Sequence, residues 1–168
     1  MTEHRPGQAN GQTASRKQPD PRPTLVAYGA PLMYPPRREM PLEEAVARAL
    51  TMLRGNAVLL LSLPVVLSDH GREVAPDVLM GWAREFGVEA ELGMVLELTT
   101  ELSGQGVFKN WALALHRLEG EPRYLDEGDT PRARKVADQR TPAVMARWGF
   151  RLNTSEEGVR QFFEKHHG

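Results

Sequence analysis

The sequence predicts a mainly α protein: a compact bundle of about five short helices, with a disordered Pro-rich N-terminal arm and one or two additional C-terminal helices. Three observations carry this expectation. Apolar residues recur at helical spacing through residues 41–119, brief turns containing glycine separate the segments, and eight of the 13 prolines lie within the first 41 residues. A chain of 168 residues, 40% of them apolar, is the size of one domain.

Residues 1–23 mix Gly, Gln, Asn, Ser, Thr and Arg with almost no large apolar side chain. Such a stretch buries too little surface to offset the entropy of ordering, and a disordered tail is expected. Between residues 24 and 40, Leu25, Val26, Tyr28, Leu32, Met33 and Tyr34 are interleaved with Pro31, Pro35 and Pro36. This reads as an extended segment, either a strap over the domain's own surface, the favoured reading, or a peptide that docks on a partner in polyproline form.

The first helix opens at Pro41 or Leu42 with Glu43 and Glu44 in its first turn, carries Val46, Ala49, Leu50 and Leu53 on one face, and stops at Gly55-Asn56. Residues 57–67 are apolar except Ser62 and fit a buried helix or a buried strand; the excess of Leu favours a helix, kinked at Pro64. A third helix starts at Pro76-Asp77, places Leu79, Trp82, Ala83 and Phe86 on one stripe and ends at Gly87. A fourth spans residues 88–103, and a fifth spans residues 108–118 with Phe108, Trp111, Ala112, Leu115 and Leu118 at helical spacing. Residues 119–139 are charged and turn-rich and read as a surface loop. Thr141-Pro142 then caps a short helix through Trp148, and Thr154-x-x-Glu157 forms a capping box ahead of Val159, Phe162 and Phe163. The chain thus divides into an arm at 1–40, a helical core domain at 41–119, a charged linker or loop at 120–140 and a C-terminal helical appendage at 141–168.

Charge is unevenly spread. Residues 1–40 hold 6 basic and 3 acidic residues, residues 41–119 hold 6 and 11, and residues 120–168 hold 9 and 8. The acidity of the core bears on the third and fourth helices, whose spacing imitates a helix-turn-helix. The second of the pair carries Glu89, Glu91, Glu97 and Glu101 and no Lys or Arg, which argues against nucleic acid because duplex affinity depends on neutralising phosphates. An antiparallel helix pair with a solvated acidic face is the simpler reading. Arg132, Arg134, Lys135 and Arg140 form a weaker basic run, surrounded by Asp126, Glu127, Asp129 and Asp138.

Little points to catalysis. With no cysteine there is no thiolate nucleophile and no thiolate metal site. The phosphate-binding glycine motifs and the nucleophile elbow are missing, and no His pair shows the zinc-binding helix spacing beside a Glu. Asp69, His70 and Glu73 are the tightest cluster of potential ligands, in a turn where a solvated loop is the ordinary explanation. No catalytic residue, metal or cofactor is assigned. The longest apolar stretch, at residues 57–67, falls short of the roughly 20 residues of a membrane span, and residues 1–23 lack an apolar leader core, so a cytoplasmic location is expected.

The stretch Ala90-Glu91-Leu92-Gly93-Met94-Val95-Leu96-Glu97-Leu98, preceded by the helix at residues 79–86, resembles the helical part near the C-terminus of AbiEi-type antitoxin regulators, where a Leu-Gly pair opens an apolar helix. It covers fewer than 20 of the 168 residues, and the winged-helix module of that family has no counterpart in the Pro-rich start. The resemblance implies a helical protein that binds another protein, and it transfers no functional residue.

The leading functional expectation is a non-enzymatic regulatory or inhibitory protein that binds a protein partner, such as an enzyme it holds inactive. Its expected anchors are Tyr28, Leu32, Met33 and Tyr34 near one end and Trp148, Phe150, Phe162 and Phe163 near the other. The alternatives are a DNA-binding regulator using the third and fourth helices with Arg84, and a small enzyme acting through Asp69, His70 and Glu73.

Overall fold

Helix α5 (Glu89–Ser103) is the axis on which the other elements assemble. In the computed structural model, which describes residues 18–168, its neighbours are α2 (Leu42–Leu50), α3 (Ala57–His70), α4 (Pro76–Phe86), α6 (Val107–Ala112) and α8 (Ala143–Arg147). The remaining helices are α1 (Arg22–Ala27), α7 (Pro131–Arg140) and α9 (Glu156–His166), and a 3-10 turn at Gly71–Glu73 follows α3. Two short strands, β1 (Arg123–Tyr124) and β2 (Phe150–Arg151), pair in parallel with Arg123 opposite Phe150.

The helices of the 41–119 core follow the expected stripes. Helix α2 buries Leu42, Val46, Ala49 and Leu50 and carries Glu43 and Glu44 at its positive end. Residues 57–67 are helical, and α3 extends through Pro64 to His70 with Leu60, Leu63, Val66 and Leu67 buried. Gly87 ends α4 in the left-handed conformation (φ 68°), which glycine adopts without a side-chain clash, and its N–H bonds back to the helix. Helix α6 is shorter than expected. It ends at Ala112, and tight turns carry the chain on until the Leu118 N–H donates to the Trp148 carbonyl at 3.2 Å.

Three segments depart from the sequence reading. Residues 1–17, read as part of the disordered tail, lie outside the described residues, but residues 18–40 are folded. Residues 24–27 are helical rather than extended, and Leu25 is fully buried in the common core. The hydroxyl of Thr24 donates to the Arg37 carbonyl and accepts from the Glu39 N–H, both at 3.1 Å, pinning the proline-rich return. A six-residue helix does not stand alone in water; insertion of Leu25 supplies what local propensity lacks.

The second departure is the stretch read as a linker, which holds β1 and α7. Thr130 caps α7 by accepting from the Ala133 N–H, and Pro131 starts it. Only Ala137 of α7 is buried, so the helix shows no apolar stripe. The third is the cap of α9, where Ser155, one residue after the expected Thr154, accepts from the Gly158 N–H at 3.0 Å. Helix α9 packs on α3, and α8 packs on α5, so the C-terminal segments contribute to the common core.

Candidate protein-binding surface

Packing separates the eight expected anchors. Trp148, Phe150 and Phe163 are 2%, 0% and 4% exposed and serve the chain's own core. The strand pair sets Phe150 beside Arg123 of β1, and the missing side chain of Gly93 leaves the space that the Trp148 ring occupies. Phe162 is half-buried beside the His166 ring. Tyr28 and Leu32 are half-buried against the core, with Arg38 over the face of Tyr28 and His70 at its edge. Tyr34 is half-buried under the Arg22 guanidinium, and Met33 alone among the eight projects fully into solvent.

The fourth predicted helix, α5, does not carry a solvated acidic face. Glu91 is buried, and Glu97 accepts from the indole N–H of Trp148 at 2.8 Å while standing 3.3 Å from Arg147. Burial among apolar neighbours pushes the Glu91 carboxyl above the usual carboxylate range, against the pull of Arg123 at 3.5 Å. The residues of α5 that escape full burial are Glu89, Glu97, Thr100, Glu101, Leu102 and Ser103. Arg84 is occupied by Glu89 at 3.3 Å.

Neither does the fold gather Asp69, His70 and Glu73. Successive residues on a helix point about 100° apart, and the two side chains of α3 go separate ways: His70 Nδ1 lies 3.2 Å from Glu73, whereas Asp69 meets His167 Nδ1 at 2.9 Å. Among the described residues no group of three or more potential ligands converges on a metal position, and no helix is long and apolar enough to cross a membrane.

The surface that does stand out was partly visible in the third-helix stripe. Val78, Trp82 and Phe86 fall at four-residue intervals on α4 and therefore share a face. Val78 is 47% exposed, Trp82 and Phe86 are half-buried, and the two aromatic rings stack at 5.4 Å. Phe86 is also a wall of a groove of about 850 Å³ between α4, the end of α2 and the segment entering α1, lined further by Pro19, Pro21, Met52 and Arg48.

The charged groups of this groove are already satisfied. Arg22 grips Asp20 through its Nε at 2.9 Å and its Nη2 at 2.9 Å, and these bonds hold the Asp20 carboxyl below the usual range. Arg48 donates to Glu44 at 3.1 Å and to Gln18 at 3.0 Å, with its guanidinium over the Phe86 ring. Self-pairing of the ionic rim leaves aromatic, methionine and proline surface as the available part. Sequence reading placed Trp82 and Phe86 on one stripe with Leu79 and Ala83; in the fold Leu79 and Ala83 are buried while Trp82 and Phe86 stay half-buried.

Compared with known proteins, the chain matches no family model, no curated protein and no solved structure.

Proposed function

We propose that this chain is a non-enzymatic regulatory protein that binds a protein partner, an enzyme held inactive being one such partner, through the groove beside α4. The observation that supports this most is the continuity of apolar surface from Met52 and Phe86 inside the groove to Trp82 and Val78 outside it. This surface runs on beyond the groove along a helix face, as a protein interface does. Aromatic side chains, Met and Arg are the residues that the centres of protein interfaces favour.

Residues 2–17 contain no large apolar side chain to fill such a groove. A partner segment with two or three apolar side chains fits instead, in the manner of a helix or extended peptide laid in a groove.

The test is reconstitution with a partner captured by the full-length chain, followed by hydrogen exchange on the complex. Protection at residues 76–86 and 18–22, with Val78→Glu weakening binding at least tenfold, supports the reading. Protection elsewhere with unchanged affinity of Val78→Glu rejects it.

A further inference from the structure

On the side of β1 lies a second, polar cleft of about 470 Å³, lined by Arg54, Glu121, Pro122, Arg123, Tyr124, Asp129 and Arg134. Its three guanidiniums come from three places in the chain: the turn between α2 and α3, the strand β1, and α7. The turn is held against the strand by the Gly55 N–H, which donates to the Leu125 carbonyl at 2.8 Å. A smaller cleft of about 300 Å³ adjoins it and shares Arg54 and Arg123, with Glu91 in its wall.

The three arginines differ in what they already hold. Arg134 donates to Asp129 at 2.7 Å and lies over the Tyr124 ring. Arg123 reaches Glu91 at 3.5 Å, longer than a charge-assisted hydrogen bond, and its side chain is 55% exposed. Arg54 makes no ion pair among the described residues.

We propose that this cleft is a binding site for a small phosphate monoester, with Arg54 and Arg123 as the principal ligands of the phosphate. A guanidinium presents a planar fork that matches phosphate oxygens, and two forks lining one cleft suit a dianion. Asp129 is already held by Arg134, and a dianion gains more from the forks of Arg54 and Arg123 than a monoanion does, because attraction scales with the charge of the ligand. The space exceeds what a bare phosphate fills, and Pro122 and Tyr124 are in its lining, where the attached organic group would lie.

The experiment is calorimetric titration of the full-length chain with phenyl phosphate, and with phenylacetate at equal ionic strength as the monoanionic control. Saturable binding of phenyl phosphate, at least tenfold tighter than phenylacetate and weakened at least tenfold by Arg54→Gln, is expected. Arg54 is exposed and makes no ion pair among the described residues, so this variant keeps the fold, which its thermal melt verifies. Trp82→Ala should leave the titration unchanged, separating this cleft from the groove beside α4. Absence of saturable binding, equal affinity for the two probes, or full affinity in Arg54→Gln would overturn the proposal.

Discussion

Trp148 fills the space beside Gly93 that a side chain would otherwise take, so that a β-carbon at position 93 would collide with Cζ3 and Cη2 of the indole. The same ring is fixed at its other edge by the bond from Nε1 to Glu97, one turn further along α5. This contact locks the C-terminal third of the chain to the central helix. Gly93→Ala gains about 1 kcal/mol of helix propensity but overpacks the contact at a cost of about 1–3 kcal/mol. The expected net result is a lower denaturation midpoint. In Gly93→Ala/Trp148→Ala the two effects should be strongly non-additive, since removal of the ring relieves the collision.

Glu91 gives the fold a pH dependence of definite sign. Burial raises its folded-state value above that of the unfolded chain, so between the two values the folded state holds a proton that the unfolded state has released. Stability therefore falls as pH rises through that interval. Denaturant melts across the acidic range should show this fall in the native chain and its loss in Glu91→Gln, which is expected to be at least as stable as the native chain at neutral pH.

Two of the aromatic side chains expected at a partner interface are instead tests of the core. Phe150→Ala should cost about 3–5 kcal/mol, the usual price of emptying a buried aromatic site, and Phe163→Ala should also destabilise the docking of α9. Met33→Ala, at 99% exposure, should leave stability within about 0.5 kcal/mol. Urea denaturation of the three variants checks the ordering.

The proline-rich segment is part of the folded unit from residue 18 onward. Leu25→Ala should cost about 2–5 kcal/mol, and deletion of residues 1–40 should destabilise the whole domain, because Leu25 and Ala30 belong to the common core. Starting the chain at Gln18 removes none of the contacts described above. Comparing the melting temperatures of the two truncations distinguishes a folded strap from a dispensable arm.

These outcomes trace how far the sequence could be read. Stripes and caps marked α2, α4 and α5 because each has an apolar face and a glycine or proline at a boundary, signals that are local. Helix α7 escaped because it buries little beyond Ala137; Thr130-Pro131 was the available sign. Helix α1 escaped because its stability comes from Leu25 meeting distant residues. Trp148 and Phe150 were read as exposed anchors for the same reason: a parallel strand pair between residues 123 and 150 is a long-range event with no local pattern. Gly93 was the one hint, since a mid-helix glycine costs stability and so marks a close approach. The candidate surface was half legible, as Trp82 and Phe86 were placed on one stripe, but which side of α4 faces the bundle was set by its packing on α2.

The account centres on a partner that needs the Val78–Trp82–Phe86 face. Its most direct test is quantitative affinity capture from the native host with three full-length baits: the native chain, Val78→Glu and Met33→Ala. The account predicts a protein held by the native and Met33→Ala baits, lost from Val78→Glu, and binding the purified native chain directly in a two-component titration. If all three baits hold the same proteins to the same extent, or none binds the purified chain, the proposed surface is contradicted.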